Sequence, residues 1–409
     1  MTLKSLMTHA SLLVSAALVL SACAETGSAG DQSGGSGLPA ASTKAEFQKA
    51  LADMSPVDLN VQTLGSKGSA DDAKDEEYMA AITDWSGGKI TFTVNYAQSV
   101  ATGAEIDKAV STGLLDMATV IPSYNPTLYP TFTALNNVSG VLGNDPVASM
   151  LQSQAWWLGV PASLPSFDEE FQKQGLQVLV SGYSSAPHSI QCTKERRGAG
   201  DFKGAVIRSS EAKVKEQIAT VGAEAANIST AEAFEALQRG VVDCEVTSMR
   251  VSAKSGTLEE AHFVTTAPIG YNAATLVMND GVWDKLPLAA RQLFHDRLDV
   301  YLQANIKSGW KANSEALGIV QKAGGSVEPA SDEVAAKFTQ VNESLLGKAD
   351  PAVAKAAREY AETWAAKATE LGFSATDWSD FLSWFAGDPD PKPFVDAITT
   401  DILAEDRPE

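Results

Sequence analysis

Few residues in this chain are suited to covalent or metal chemistry. Histidine occurs at positions 9, 188, 262 and 295 and cysteine at 23, 192 and 244, too scattered to form a recognisable metal site. No G-x-S-x-G elbow, G-x-x-x-x-G-K-[ST] loop, H-E-x-x-H pair or strand-borne G-x-G-x-x-G is present. Neighbouring carboxylates such as Glu259 and Glu260 are expected on solvated helix faces of an acidic chain, so they identify no acid–base pair. One cation is better placed. Ala205-Val206-Ile207-Arg208 sets a guanidinium at the C-terminal end of an apolar strand, where its planar fork suits a carboxylate with two parallel hydrogen bonds. The competing reading pairs Arg208 with one of the many acids nearby.

Those acids set the background. The 409 residues carry 31 Lys plus Arg against 51 Asp plus Glu, a formal charge of -20. That balance excludes a phosphate-gripping nucleic-acid binder and an electrostatic hold on anionic lipid. With 44% hydrophobic and 20% charged residues the chain is globular rather than a disordered acidic tail, and its length allows two domains.

Residues 1–22 read as a leader, with Lys4 ahead of the apolar run Leu12–Leu20, too short to span a bilayer comfortably. Leu20-Ser21-Ala22-Cys23 resembles the lipobox of bacterial lipoproteins, in which the cysteine is acylated and becomes the first residue after cleavage. Residues 23–42, rich in Gly and Ser, read as a flexible tether. With Cys23 lipidated in an oxidising compartment, Cys192 and Cys244 are left as an even pair. They form a disulfide, two buried thiols, or a nucleophile served by His188, which lies four residues before Cys192. The disulfide would stabilise the fold by roughly 4 kcal/mol in the chain-entropy model.

The elements that must position these residues alternate between strand and helix. Thr43-Lys44-Ala45-Glu46 is a capping box that opens the folded body. Strands are expected at 57–61, 89–96, 116–121, 177–180, 205–208 and 273–278, and helices at 103–113, 211–221, 230–239 and, as one long element, 287–322. Trp378, Phe381, Leu382 and Phe385 recur at helical spacing as a packing stripe. The pattern is that of an α/β protein with ligand crevices at strand ends.

Four blocks, in order, then match a family. Ser111-Thr112-Gly113-Leu114-Leu115-Asp116-Met117, Gly200-Asp201-Phe202-Lys203-Gly204-Ala205-Val206-Ile207-Arg208, Ala231 to Asp243 (the "E-x-Y-x-A-L-Q-x-G-x-x-D" pattern) and Val282-Trp283-Asp284-Lys285-Leu286-Pro287 resemble segments of DctP-type solute-binding proteins of tripartite ATP-independent periplasmic (TRAP) transporters. The resemblance implies a two-lobed, periplasmic-binding-protein-like α/β fold with a ligand cleft between lobes and a long helix crossing both. Residues 43–184 with 272–318 would form lobe I, and 185–271 with 319–409 lobe II. It implies an extracytoplasmic receptor, lipid-anchored here, that passes a small organic acid to TRAP membrane subunits without catalysis, metal or cofactor. A sensor lipoprotein feeding a membrane signalling partner, or a surface-anchored enzyme, are the alternatives.

The resemblance also assigns residues. Arg208 takes the place of the arginine that holds the ligand carboxylate. Thr247 stands where the family often has an assisting Asn, His188 where many members have an arginine, and Thr230 where an aromatic residue is common. Relatives with a cysteine at the position of Cys244 commonly have another near Cys192, which implies the disulfide. Beside these, Ser123 and Tyr124 follow the 116–121 strand, where a crevice wall should be, with Tyr124 either a ligand contact or packed beneath the loop. Trp156 or Trp157 lines the pocket or fills the core, Glu105 binds ligand or complements a helix dipole, and Arg250 is a second cation or a surface residue.

Overall fold

The computed structural model describes residues 37–184, 186–209 and 211–409; the expected leader, Cys23 and most of the tether lie outside the described residues. Among the described residues, eleven strands form two sheets. They are β1 (Val57–Gln62), β2 (Ile90–Asn95), β3 (Met117–Val120), β4 (Leu176–Ser184), β5 (His188–Cys192), β6 (Val206–Arg208), β7 (Glu224–Ala226), β8 (Cys244–Ser248), β9 (Phe263–Thr266), β10 (Ala273–Asn279) and β11 (Ser326–Pro329). The first sheet has the order β2-β1-β3-β10-β4 and the second β11-β9-β5-β8-β6-β7.

In the first sheet β1 runs parallel to β2 and β3, and β10 is antiparallel to β3 and β4. β3 is buried at every position, which is why it reads as an apolar run interrupted only by Thr119 rather than as an alternation. The helix Ala73–Trp85 precedes β2, and Gly87 and Gly88 end it at φ 66 and 78°, a left-handed turn that a side chain disfavours. The Thr43–Glu46 capping box is formed as expected, with Glu46 Oε2 accepting from the Thr43 amide at 2.6 Å.

The chain leaves the first sheet after β4 and returns at β10, so each sheet is the centre of one lobe. The helix Leu298–Lys322, about 38 Å long at 1.5 Å per residue, packs on Ala73–Trp85 in lobe I and on Met249–Ser255 and β11 in lobe II. Leu298, Tyr301, Leu302 and Ile306 form its buried apolar face, continued by Phe294 of the preceding helix Leu288–Asp296. The single helix expected over 287–322 is broken, however, into Leu288–Asp296 and Leu298–Lys322. Arg297 leaves helical geometry at ψ 6°, and its guanidinium stacks 3.6 Å from the Trp85 ring centre.

Two expected boundaries differ from the structure. The tether does not reach residue 42: the Leu38 amide donates to Gln292 Oε1 at 2.7 Å, and Arg407 holds the Leu38 carbonyl at 2.7 Å. Residues 319–409 do not all join lobe II. β11 and the helix Asp332–Lys348 do, the latter burying Val334 and Phe338 in that lobe's core. The helix Pro351–Glu370 instead lies on Ala148–Ala162 of lobe I, so closely that a Cβ at Gly159 would fall 1.9 Å from the Tyr360 ring. The C-terminal aromatic stripe is packing, with Phe381 wholly buried and Trp384 edge-on to Trp310 at 4.9 Å.

Candidate ligand-binding cleft

A cleft of about 450 Å³ opens between the two sheets, a volume suited to a small organic molecule. Arg208, last residue of β6, lines it and is 4% exposed. Its Nε donates to the Ile228 carbonyl at 2.8 Å and its Nη2 to Thr230 Oγ1 at 2.8 Å. Both acceptors sit where the chain enters the helix Thr230–Gln238, whose start is fixed by Ser229 Oγ donating to Glu232 Oε2 at 2.6 Å. No carboxylate lies within ion-pairing distance of Arg208 among the described residues, and Nη1 has no acceptor among them. The competing expectation, that a neighbouring acid absorbs this charge, is thereby removed. A buried guanidinium held only by neutral oxygens carries a charge that no protein group among the described residues offsets.

β8 supplies the adjacent wall. It lies beside β6, with Arg208 in register with Glu245, and Thr247 faces the cleft two residues on. His188, at the start of β5, also lines the cleft, but its Nδ1 lies 3.0 Å from Glu211 Oε1. Burial raises the Glu211 carboxyl, and the charges of His188 and Lys213 outweigh that, so its pKa falls to about 2. Lys213 is wholly buried, 3.4 Å from Glu211. Burial lowers the pKa of its ammonium against the pull of Glu211.

From lobe I, Tyr124 lines the cleft and is 38% exposed, so it does not pack beneath its loop. Ser123 does not line it; its Oγ accepts from Asn272 Nδ2 at 3.1 Å, and Asn272 is the residue on the wall. Trp156 is a correction. It is fully buried, donates from Nε1 to the Ala357 carbonyl at 2.9 Å and stands edge-on to Trp157, because the Pro351–Glu370 helix covers the face that would otherwise be open. Trp157 is equally buried, stacked on Phe132 at 5.2 Å. Glu105 precedes the helix Ile106–Ser111, accepts from Thr102 Oγ1 at 2.8 Å, and is not on the cleft wall.

Arg250 is neither at the surface nor free: it lines the cleft and gives its Nε to Asp71 of the opposite lobe. Lys254 Nζ also reaches Asp71, at 3.1 Å. Sequence reasoning missed Asp71, Lys74 and Tyr183 as cleft residues. Lys74 is buried, 2.6 Å from Asp75, with its ammonium 4.7 Å from the Tyr183 ring centre. Cys192 and Cys244 are in register on β5 and β8 and bonded to each other. A bonded cysteine is no nucleophile, so the catalytic reading of that pair is gone. Among the described residues no group of three or more His, Cys, Asp or Glu is placed to hold a metal ion, and no helix is long and apolar enough to cross a membrane.

Two sheets, each the centre of a lobe, and a long helix shared by both lobes define a two-lobed solute-binding fold, with the Arg208 guanidinium buried in its cleft. The chain belongs to the DctP family, bacterial extracellular solute-binding protein family 7, whose profile matches residues 69–350. A solute-binding protein of Albidiferax ferrireducens is 25% identical over 303 residues, 72% of this chain and 86% of the relative. One from Verminephrobacter eiseniae is 30% identical over 131 residues, 31% of this chain, and the match spans 38% of that relative's length. Among solved structures, the fold is similar to a Bordetella pertussis extracytoplasmic solute receptor binding pyroglutamic acid (TM-score 0.61, 19% identity, covering 75% of this chain and 99% of that one). It is also similar to a TRAP periplasmic solute-binding protein from Sulfitobacter sp. NAS-14.1 with bound β-D-galacturonate (TM-score 0.62, 17% identity, 75% and 100% covered).

Proposed function

We propose that this protein is an extracytoplasmic receptor that captures a small organic acid and delivers it to the membrane subunits of a TRAP-type transporter. The observation that carries the reading is Arg208: a buried guanidinium in the cleft of a chain with net charge -20, bonded to neutral oxygens and to no carboxylate among the described residues. Its free edge gives a ligand carboxylate paired donors, Thr247 adds a hydroxyl, and Tyr124 and His188 bound the space from opposite lobes. The acidic surface repels anions generally, so entry is selective for those the clamp can hold. The molecules bound by the two solved relatives, pyroglutamic acid and galacturonate, are both carboxylic acids, which supports the same chemistry. Acylation of Cys23 would hold the receptor at the membrane face; mass spectrometry of the N-terminal peptide should show the lipid, and Cys23→Ser should release the protein to the soluble fraction.

Native mass spectrometry of freshly purified protein should identify a retained acid. Calorimetry with that acid should then show Arg208→Ala binding about 100-fold more weakly, the scale expected when one partner of a buried charge pair is removed. Full affinity in the variant would overturn the reading.

A further inference from the structure

The cleft is richer in cations than a single clamp needs, and the way their charge is balanced bears on the ligand. Lys74 has Asp75 at 2.6 Å, and Lys213, which lies off the cleft wall, has Glu211 at 3.4 Å. Arg250 has Asp71, which Lys254, a half-exposed residue at the rim, shares. Every buried cation of the cleft except Arg208 therefore has its own carboxylate among the described residues. Burial raises the Asp71 carboxyl, and the charges of Arg250 and Lys254 outweigh that, bringing it to about 2; it is ionised at any physiological pH.

Arg250 differs from the other balanced cations. Its side chain is 6% exposed and lines the cleft, and its Nε serves Asp71. Neither of its terminal nitrogens has an acceptor among the described residues. Nη1 is sealed from solvent but Nη2 is not, so the guanidinium has a donor to spare toward the cleft while its charge is already met. A second carboxylate brought to this place would confront the charge of Asp71. A carbonyl or hydroxyl oxygen would accept the hydrogen bond and add no charge. The two arginines also serve different parts of the cleft. Arg208 is in register with Glu245, and Ser248, after which the helix bearing Arg250 begins, lies three strand steps, roughly 10 Å, further along β8.

We infer that the ligand is a monocarboxylate carrying a neutral oxygen acceptor remote from its acid group, with Arg208 holding the carboxylate and Arg250 the oxygen. This rests on the receptor reading above and narrows it: dicarboxylates are disfavoured, and Asp71 is the residue that disfavours them.

The test is calorimetry on the purified protein with two matched triads: benzoate, 3-hydroxybenzoate and isophthalate; pentanoate, 4-oxopentanoate and glutarate. In whichever triad binds, the middle member should be at least about ten-fold tighter than both others, since it alone fits a neutral-acceptor site. A dicarboxylate as the tightest member, or a plain acid equal to its oxygenated partner, would overturn the inference; if Arg208→Ala still abolished that binding, the receptor reading would stand without it. Asp71→Asn should move the preference toward the dicarboxylate by about ten-fold, because Arg250 is then unbalanced. Arg250→Gln should shrink the ratio between oxygenated and plain acid. Unchanged ratios in both variants, with melting temperatures near wild type, would likewise sink the proposal. If none of the six binds, the acid retained through purification decides: a monocarboxylate with a neutral oxygen supports it and any other acid overturns it. No binding and no retained acid would overturn both this inference and the receptor reading.

Discussion

Arg208 is held by two oxygens that come twenty and twenty-two residues later in the chain, and this arrangement aims its remaining donors at the cleft. A lysine there would keep the charge and lose the planar fork. Arg208→Lys should therefore recover little of the affinity lost in Arg208→Ala, and calorimetry with the retained acid would show it. The Cys192–Cys244 bond joins strands already in register, so its contribution is mainly a restriction on the unfolded chain. Replacing both cysteines by alanine should lower unfolding free energy by about 2–4 kcal/mol in urea titrations and leave ligand affinity near wild type. At this scale the sequence was partly legible. Arg208, Thr247, His188 and Tyr124 all reach the cleft. The sequence around Asp71 suggests only an acid near a helix start, where it answers the backbone dipole; its partner Arg250 lies 179 residues away, and no local pattern encodes such a pairing. Trp156 failed for a related reason, since the helix that covers it arrives two hundred residues later.

At the scale of elements, the strands of the first sheet were legible and several of the second were not. β3 and β10 are apolar runs. β5 and β8 contain Ser189, Gln191, Glu245 and Thr247, all buried, which suppresses the hydrophobic signal. Some of their polar groups find partners across the fold, since Gln191 Nε2 donates to the Thr247 carbonyl at 3.0 Å and Thr257 donates to Glu245, while Gln191 Oε1 and Glu245 Oε2 are buried without a partner among the described residues. The start of the Thr230–Gln238 helix has a duty beyond capping, because Thr230 Oγ1 accepts from the arginine clamp. Thr230→Val keeps the shape and removes that acceptor. We expect acid affinity to fall about 10- to 100-fold, the worth of one hydrogen bond to a charged group, while the melting temperature moves by no more than about 2 °C. A melting temperature that drops in step with affinity would mean the residue serves only the helix.

At the scale of the molecule, the two lobes are tied across the cleft as well as through the chain crossings. Asp71 of lobe I takes Arg250 and Lys254 of lobe II, and Lys254 also donates to the Leu64 carbonyl at 3.0 Å. Near the crossings, the buried Lys213 ammonium donates to Ser139 Oγ at 2.6 Å and to the Asn136 carbonyl at 3.1 Å. Asp71→Asn weakens the first of these ties, so the ligand-free protein should show a larger radius of gyration in small-angle scattering, and added acid should contract it. The pH dependence has a definite sign. The Asp71 carboxyl lies at about 2 against an ordinary 3.8, so its stabilisation is complete above pH 4 and is lost as pH falls through 2. The stability gap between wild type and Asp71→Asn in urea titrations should hold steady from pH 7 to 5 and close between pH 4 and 2. The Arg407 staple near the end of the chain has a practical consequence for watching such motion. Arg407 grips Asp296 at 2.8 Å and the Leu38 and Pro39 carbonyls, and the helix bearing Asp296 is anchored to lobe I through Tyr78, whose hydroxyl donates to the Phe294 carbonyl. Fluorophores attached at the two ends of the folded body would therefore ride together and stay silent through closure, whereas a dye on an exposed lobe II position such as Val241, paired with one at either end, would report it.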